Sequence, residues 1–357
     1  MTLNTLSEQT RKVRHHETAF LGGDASKESL VKVAIVGAGG MGRAWKNALE
    51  TVPDTNVRMF VDPLIGTDHE APWLADYPAT LQAQDLSSLT DEIDAVVVTA
   101  LSPAHTEIVR TALERGYHVI VEKPFVTSLE DAQALVALAD QRHKTLMVSQ
   151  NYRFFPGPQR VREIAQNGDY GPICAVAGQF WCDWPGKPYQ HEMLHPMALE
   201  MAIHHFDLAR AMFGAEAVSG HVEEWNPAWS PYRMGGALEA LFRMATAEST
   251  FPFLYTGGLV GRAPRTPWGG LWRFEFERAT LVADVIDESY GLYLATEAGY
   301  ERLCDFGDDS MSLAKSFQHF KTCVETNTEP WSSGRDNLGT LALALAYTSE
   351  DEGEVKT

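Results

Sequence analysis

The chain has 357 residues, of which 45% are hydrophobic and 22% are charged, a balance typical of globular proteins. A chain of this length favours two domains over one hydrophobic core. Its net charge of −19 disfavours nucleic acid and anionic membranes as partners. The chain also has no apolar run near the ~18 residues that a transmembrane helix needs.

The chain divides by composition into four predicted segments. Residues 1–28 are polar and lack the apolar stretch of a secretory signal, so we expect an arm there. Residues 29–150 and 151–348 are predicted as two domains, and residues 349–357 as an acidic tail. Four cysteines without CxxC spacing favour a reduced, cytoplasmic protein and give no indication of a structural metal.

The first predicted domain alternates short apolar runs with helical patterns. Runs such as VKVAIV (31–36) are apolar throughout, as strands buried on both faces are. Further strands are predicted at 56–62, 94–100, 117–122 and 145–150, and helices at about 41–49, 104–114 and 129–141. This order predicts an α/β domain of the Rossmann type, with a doubly wound parallel sheet.

The second predicted domain has a different texture, with many tryptophans and long segments of alternating hydrophobicity. Residues 237–250 and 272–286 show this alternation, which predicts a largely antiparallel open sheet in an α+β domain. An amphipathic helix is predicted over 199–214. Two later helices are predicted at about 311–326 and 336–348.

A glycine-rich turn follows the first strand and opens the first helix. Gly37, Gly39 and Gly42 form G-x-G-x-x-G in the context that dinucleotide binding requires. Asp62 ends the second strand, where a carboxylate accepts hydrogen bonds from an adenosine ribose and repels a 2′-phosphate. The pattern predicts NAD in preference to NADP; the alternative is a turn needed only for packing. Gly40 and Met41 complete the predicted phosphate-binding loop.

The helix over 199–214 carries polar residues on one face. Glu200, His204 and Asp207 share a stripe, which fits a solvated face, a metal pair or an acid–base pair. His205 points about 100° away and is predicted to be packed, and Asp207 is predicted to be structural.

Upstream, HEMLH (191–195) matches the zinc-peptidase pattern. That pattern needs one uninterrupted helix, and Pro196 disfavours helical conformation at His195. Whether His191 or His195 contacts a ligand stays open.

Several motifs together resemble the Gfo/Idh/MocA oxidoreductases, from about Val31 onward. They are GAGGMG, the acidic end of the second strand, and four further segments: SPAHTEIV (102–109), EKP (122–124), NYRFFPG (151–157) and SGRDNLGTLALALA (333–346). The resemblance implies a Rossmann domain followed by a domain whose open sheet often mediates oligomers, here a homodimer or homotetramer. It also implies NAD or NADP as cofactor, and a sugar, cyclitol or sugar derivative as substrate.

The resemblance also assigns site residues. The EKP lysine carries over to Lys123, which would contact the substrate hydroxyl and the nicotinamide region. The family motif D-x-G-x-H maps onto Glu200, Ala202 and His204, with Glu for Asp and Ala for Gly. Further cofactor-binding candidates are Ser102, His105 and Glu122.

These residues predict hydride transfer between nicotinamide and a carbinol or carbonyl carbon. Histidine suits the accompanying proton exchange, so His204 is the candidate general base, with Lys123 stabilising the substrate oxygen and Glu200 tuning His204 or contacting substrate. Tyr152 and Arg153 are candidate substrate contacts, and an interdomain salt bridge is the alternative for Arg153. Trp181 and Trp184 either stack on a sugar ring or belong to the core. The alternative functions are a non-catalytic NAD-binding sensor and an enzyme that recycles a tightly bound NAD.

Overall fold

The computed structural model of the chain describes residues 31–90, 92–307 and 310–346. The predicted arm, the predicted acidic tail and the end of the helix predicted over 336–348 lie outside the described residues. Contacts between residues divide the chain into two units. The first unit takes residues 31–151 and 310–338, and the second takes residues 152–307 and 339–346.

The structure describes eight α-helices in the two units. Their bounds are α1 (Gly40–Leu49), α2 (His105–Glu114), α3 (Leu129–Arg142), α4 (Pro156–Asn167), α5 (Pro188–His191), α6 (Ile203–Phe213), α7 (Ser312–Thr326) and α8 (Gly334–Ala344). The division between the units falls within α8.

The first unit is built on a six-stranded parallel sheet. Its strand order is β3-β2-β1-β4-β5-β6, and every neighbouring pair is parallel. This order confirms the predicted doubly wound Rossmann sheet. The strands are β1 (Val31–Val36), β2 (Thr55–Val61), β3 (Gln82–Ala83), β4 (Ala95–Val98), β5 (His118–Val121) and β6 (Leu146–Val148).

The second unit is built on an eight-stranded sheet in the order β14-β13-β12-β11-β7-β10-β9-β8. All neighbours are antiparallel except β7 and β10, which confirms a largely antiparallel sheet. The segment predicted over 272–286 forms two strands, separated by a turn at 277–279. The strands are β7 (Ile173–Trp181), β8 (Glu216–Trp225), β9 (Ala237–Ala245), β10 (Thr250–Gly258), β11 (Leu271–Phe276), β12 (Thr280–Ile286), β13 (Ser289–Thr296) and β14 (Gly299–Asp305).

The helix predicted over 199–214 is not regular throughout. Its first turn is a π-turn (Ala198–Ala202), in which the N–H of Ile203 donates to Ala198 O, five residues earlier. Only then does α6 begin, and it ends at Gly214 with a left-handed φ of 58°. The wider turn changes the residue spacing around Glu200, and a shared face for Glu200 and His204 stays a prediction.

Residues 310–338 pack within the first unit, which differs from the prediction of one uninterrupted domain over 151–348. The ring of Phe317 lies edge-on to that of Trp45, with centroids 6.4 Å apart. Lys321 Nζ donates to Pro53 O at 2.9 Å, and the N–H of Val148 donates to Ser332 O at 2.9 Å. These contacts bury one face of α7 and extend the edge of the parallel sheet.

Among the helices that the structure describes, none has both the length and the apolar composition to cross a membrane.

Candidate active site

The glycine-rich turn between β1 and α1 is tightly packed against the protein on one side and open on the other. A Cβ on Gly37, whose φ is +106°, would lie 2.6 Å from Ala100 N, and one on Gly42 would lie 2.1 Å from Gly37 O. Gly39 and Gly40 are exposed, and a Cβ on either would meet nothing within 4 Å. The open side lies at the N-terminus of α1, so the loop fits the pyrophosphate of a dinucleotide. Met41, 43% exposed, borders it.

Asp62 follows β2 and holds this loop in place. Its Oδ2 accepts from the N–H of Ala38 at 2.7 Å, and its Oδ1 accepts from the N–H of Leu64 at 2.9 Å. The indole of Trp73 donates to Ala38 O at 3.0 Å, so the Ala38 peptide is fixed on both sides. Each carboxylate oxygen has a second lone pair, so Asp62 retains capacity for a ribose hydroxyl. Nothing in the sequence pattern identified Trp73.

The EKP turn presents one side chain and buries its neighbours. Lys123 is partly exposed, whereas every other residue of 121–126 is buried. Glu122 is 8% exposed; its Oε1 accepts from Trp45 Nε1 at 2.7 Å, and its Oε2 accepts from the N–H of Lys123 at 3.2 Å. Both carboxylate oxygens of Glu122 thus have partners within the first unit, and a cofactor contact of Glu122 stays a prediction.

His105 is also turned inward. It is 1% exposed, with Nδ1 lying 2.9 Å from Pro124 O and 3.2 Å from Phe125 O, and Nε2 lying 3.0 Å from Ala100 O. Both ring nitrogens face backbone carbonyls, so the geometry of His105 gives its predicted cofactor contact no support. Ser102 is 9% exposed, in the short 3-10 turn that leads into α2, and remains a predicted contact.

In the second unit, His204 is part of a stack of aromatic rings. The imidazole is 6% exposed and lies parallel to the ring of Tyr152, with centroids 4.2 Å apart and planes at 9°. Tyr152 stacks in turn on Phe155, with centroids 4.5 Å apart. Tyr152 therefore fixes the plane of the imidazole, which adds to its predicted role as a substrate contact.

Glu200 is partly exposed on the π-turn that precedes α6. Burial raises the pKa of Tyr189 to about 12, and the negative charge of Glu200 adds to that increase. Burial likewise raises the pKa of Tyr232, with smaller contributions from Cys182, Glu200 and Asp183. The negative charge of Glu200 thus acts on the pKa of two phenols, neither of which the sequence pattern singled out.

Arg153 and Asp207 form a buried ion pair within the second unit. Arg153 Nε donates to Asp207 Oδ2 at 2.7 Å and Nη2 donates to Oδ1 at 2.6 Å, and both side chains are 1% exposed. Thr340 Oγ1 donates to Asp207 Oδ1 at 2.7 Å. The prediction of Arg153 as a substrate contact is corrected, since its guanidinium is turned to Asp207, and Asp207 is structural as expected.

His205 is packed, as predicted. It is fully buried, with Nδ1 2.7 Å from Tyr255 Oη and Nε2 3.0 Å from Trp268 O. Burial lowers the pKa of His205 to about 4, against a smaller opposing effect of the Trp268 carbonyl. Trp184, 39% exposed, lies edge-on to Trp268 with centroids 6.1 Å apart, so one indole of the predicted pair stays accessible; Trp181 is half-buried.

The two histidines of HEMLH do not share a helix. Helix α5 ends at His191, whose Nε2 lies 2.6 Å from Pro185 O. His195 has a left-handed φ of 58°, and its Nδ1 contacts Glu224 Oε2. Within residues 31–90, 92–307 and 310–346, no three His, Cys, Asp or Glu side chains are placed to hold a metal ion.

Comparison with known proteins identifies a family model and several relatives. Residues 31–150 match the family model described as "Oxidoreductase family, NAD-binding Rossmann fold". D-apiose dehydrogenase of Paraburkholderia graminis is 26% identical over 297 residues, 74% of this chain and 72% of that protein. The scyllo-inositol 2-dehydrogenase (NAD(+)) of Bacillus subtilis is 25% identical over 334 residues, 90% of this chain and 94% of that protein.

A solved structure shows the same fold along most of the chain. An oxidoreductase from Agrobacterium radiobacter, in complex with NAD+, L-tartaric acid and magnesium, superposes with a TM-score of 0.79 at 19% identity. The superposition covers 91% of this chain and 97% of that one. The superposition confirms the predicted fold class of both units. Residues 31–150 thus match the NAD-binding Rossmann domain of the Gfo/Idh/MocA oxidoreductases, which is the resemblance that the motifs of this segment predict.

Proposed function

We propose that this oxidoreductase is an NAD-dependent dehydrogenase or reductase that acts on a CH–OH group of a sugar, cyclitol or sugar derivative. The observation that carries the proposal is the EKP turn, where Lys123 alone is presented from a buried segment at the carboxyl end of β5. Ligands bind beyond the carboxyl ends of the strands in open parallel sheets. The relatives that act on apiose and on inositol support a polyol as the substrate.

Each predicted catalytic residue has a distinct task in this proposal. NAD, when bound, supplies the hydride acceptor; the residues that would hold it are the open glycine loop and Asp62. The Lys123 ammonium orients the substrate oxygen and stabilises the negative charge that develops on it. His204 accepts the hydroxyl proton during oxidation and returns it during reduction. Glu200 orients the substrate or tunes His204.

The preference for NAD rests on Asp62. Its carboxylate is anchored by two backbone N–H groups at the end of β2, so it has a fixed place beside the loop. A fixed negative charge there favours ribose hydroxyls and repels the 2′-phosphate of NADP.

Location and assembly belong to the same proposal. The four cysteines Cys174, Cys182, Cys304 and Cys323 are all free, which supports a reducing, cytoplasmic environment. The open sheet exposes large apolar side chains, among them Leu241 and Leu254, which are paired on β9 and β10. Such a face supports a homodimer or homotetramer.

The test is nucleotide reduction across a panel of sugars, cyclitols and sugar acids, with NAD and NADP in parallel. We expect turnover with NAD, and a loss of about 10²-fold or more in kcat/KM for both Lys123→Ala and His204→Ala. His143→Asn is the matched histidine control, because His143 is an exposed left-handed residue after α3 and asparagine tolerates that conformation.

Other outcomes separate the rival functions. Equal activity in wild type and in both variants would remove Lys123 and His204 from the chemistry. Absence of turnover, together with NAD released only on denaturation, would favour an enzyme that recycles its cofactor. Reversible NAD binding without turnover would favour a sensor.

A further inference from the structure

We propose that Trp45 is a positioning residue for the catalytic lysine, acting through Glu122. The inference rests on the proposed function, in which Lys123 touches the substrate oxygen. The glycine loop and the EKP turn are separate stretches of sequence, and a buried hydrogen bond joins the helix of the first to the second.

The bond between Trp45 and Glu122 is short and buried. Trp45 is fully buried on α1, three residues after Gly42, and its indole N–H donates to Glu122 Oε1 at 2.7 Å. Glu122 is 8% exposed, so little water competes for its carboxylate. Hydrogen bonds to an ionised acceptor are about twice as strong as neutral ones. The carboxylate therefore has a fixed position relative to α1.

The same carboxylate also holds the backbone at Lys123. Its second oxygen accepts from the backbone N–H of Lys123 at 3.2 Å. Glu122 thus bridges an indole on α1 and the peptide from which the Lys123 side chain departs. Loss of the Trp45 N–H would leave Oε1 unsatisfied in the interior, and the carboxylate would reorient to regain a donor.

His105 holds the other side of the turn. Its ring nitrogens face the carbonyls of Pro124 and Phe125 at 2.9 and 3.2 Å, and of Ala100 at 3.0 Å. The turn is therefore fixed before and after Lys123, while the Lys123 side chain stays partly exposed. Two independent anchors around one partly exposed lysine indicate positioning rather than packing alone, and Trp45 is the anchor on the helix that follows the glycine loop.

Trp45→Phe removes the N–H and keeps an aromatic ring in the core. Phe317→Leu is the matched control, because Phe317 packs edge-on against Trp45 with centroids 6.4 Å apart and has no bond to Glu122. Both variants lose packing, and only the first loses the bond. Glu122→Ala and the double variant Trp45→Phe/Glu122→Ala complete a mutant cycle, and Glu122→Ala also gives the test if Trp45→Phe does not fold.

The first readout needs no substrate. Lys123 is labelled with acetic anhydride, and the rate is measured by peptide mass spectrometry against exposed Lys187 as internal reference. We expect Trp45→Phe and Glu122→Ala each to change the rate by about threefold or more, with the double variant no further changed than the larger single variant. Phe317→Leu is expected to keep the wild-type rate and only to lower Tm.

The second readout is steady-state turnover with the best polyol. We expect kcat to fall by about 10- to 100-fold in Trp45→Phe, because small displacements of a catalytic group cost that much. The NADH dissociation constant, from fluorescence titration, is expected to stay at the wild-type value. Additive effects in the cycle, or a Trp45→Phe variant that behaves as Phe317→Leu does, would overturn the inference. A wild type that turns over no polyol would instead refute the proposed function, and the labelling would still decide the role of Trp45.

Discussion

The buried pair of Arg153 and Asp207 gives a sharp test of the second unit's stability. Arg153→Met keeps the length of the side chain and removes its charge. In this variant Asp207 keeps its hydrogen bond from the Thr340 hydroxyl at 2.7 Å and loses both bonds from the guanidinium, at 2.6 and 2.7 Å. The Asp207 side chain is only 1% exposed, so water cannot replace the lost bonds. Breaking a buried pair on one side costs about 3–5 kcal/mol, because the remaining charge is buried without its partner. That is a large share of the roughly 5–15 kcal/mol by which domains are stable.

The assay is equilibrium urea unfolding followed by tryptophan fluorescence. Arg160→Met is the control, because Arg160 pairs with Glu163 at 3.1 Å on the exposed side of α4. The free energy of unfolding is expected to fall by less than about 1 kcal/mol in Arg160→Met. Arg153→Met/Asp207→Leu removes both charges and is expected to recover at least half of the loss. A cost for Arg153→Met no larger than that of the control would refute the reasoning.

Three further predictions test the loop, the cofactor preference and a buried histidine. Gly42→Ala is expected to cost about 1–3 kcal/mol in urea unfolding, because its Cβ would lie 2.1 Å from Gly37 O, whereas Gly40→Ala, with nothing within 4 Å, should keep the wild-type Tm. Asp62→Ser is expected to raise the NADP-to-NAD ratio of kcat/KM by about tenfold by removing a fixed negative charge, and an unchanged ratio would contradict the assigned preference. His205 has its pKa lowered by burial from 6.5 to about 4, so the unfolded chain binds more protons in that window. Acidification from pH 6.5 to 4 should therefore lower the free energy of unfolding by roughly 3 kcal/mol through this residue, and a His205→Gln variant with the same pH slope would contradict it.

The elements that the sequence predicts well are those with strong local patterns. Apolar runs such as 31–36 become buried parallel strands, and the glycine spacing predicts the turn that the structure contains. The two-residue β3 has no pattern long enough to detect. The π-turn before α6 is equally hidden, because the same apolar periodicity fits a regular helix.

Candidate site residues were harder to predict because distant partners decide where a polar side chain turns. Arg153 finds its carboxylate 54 positions along the chain, and Glu122 finds its indole 77 positions away. Both stand beside strong motifs, so proximity in sequence favoured a ligand contact for each. Their burial and their partners give both a place in the scaffold that holds the motif.

The EKP turn shows why a motif identifies a place in the fold more securely than it identifies a contact. Its three residues are adjacent, yet only Lys123 is partly exposed, while Glu122 faces Trp45 and the Pro124 carbonyl faces His105. A reactive lysine needs a defined direction, and a turn without regular hydrogen bonding cannot supply one alone. The supporting bonds must come from elsewhere in the chain. A residue beside a reactive group therefore serves to hold that group in place as well as to contact the substrate. The distinction is measurable, because an anchor such as Trp45 should change the labelling rate of Lys123 and leave the affinity for NADH unchanged.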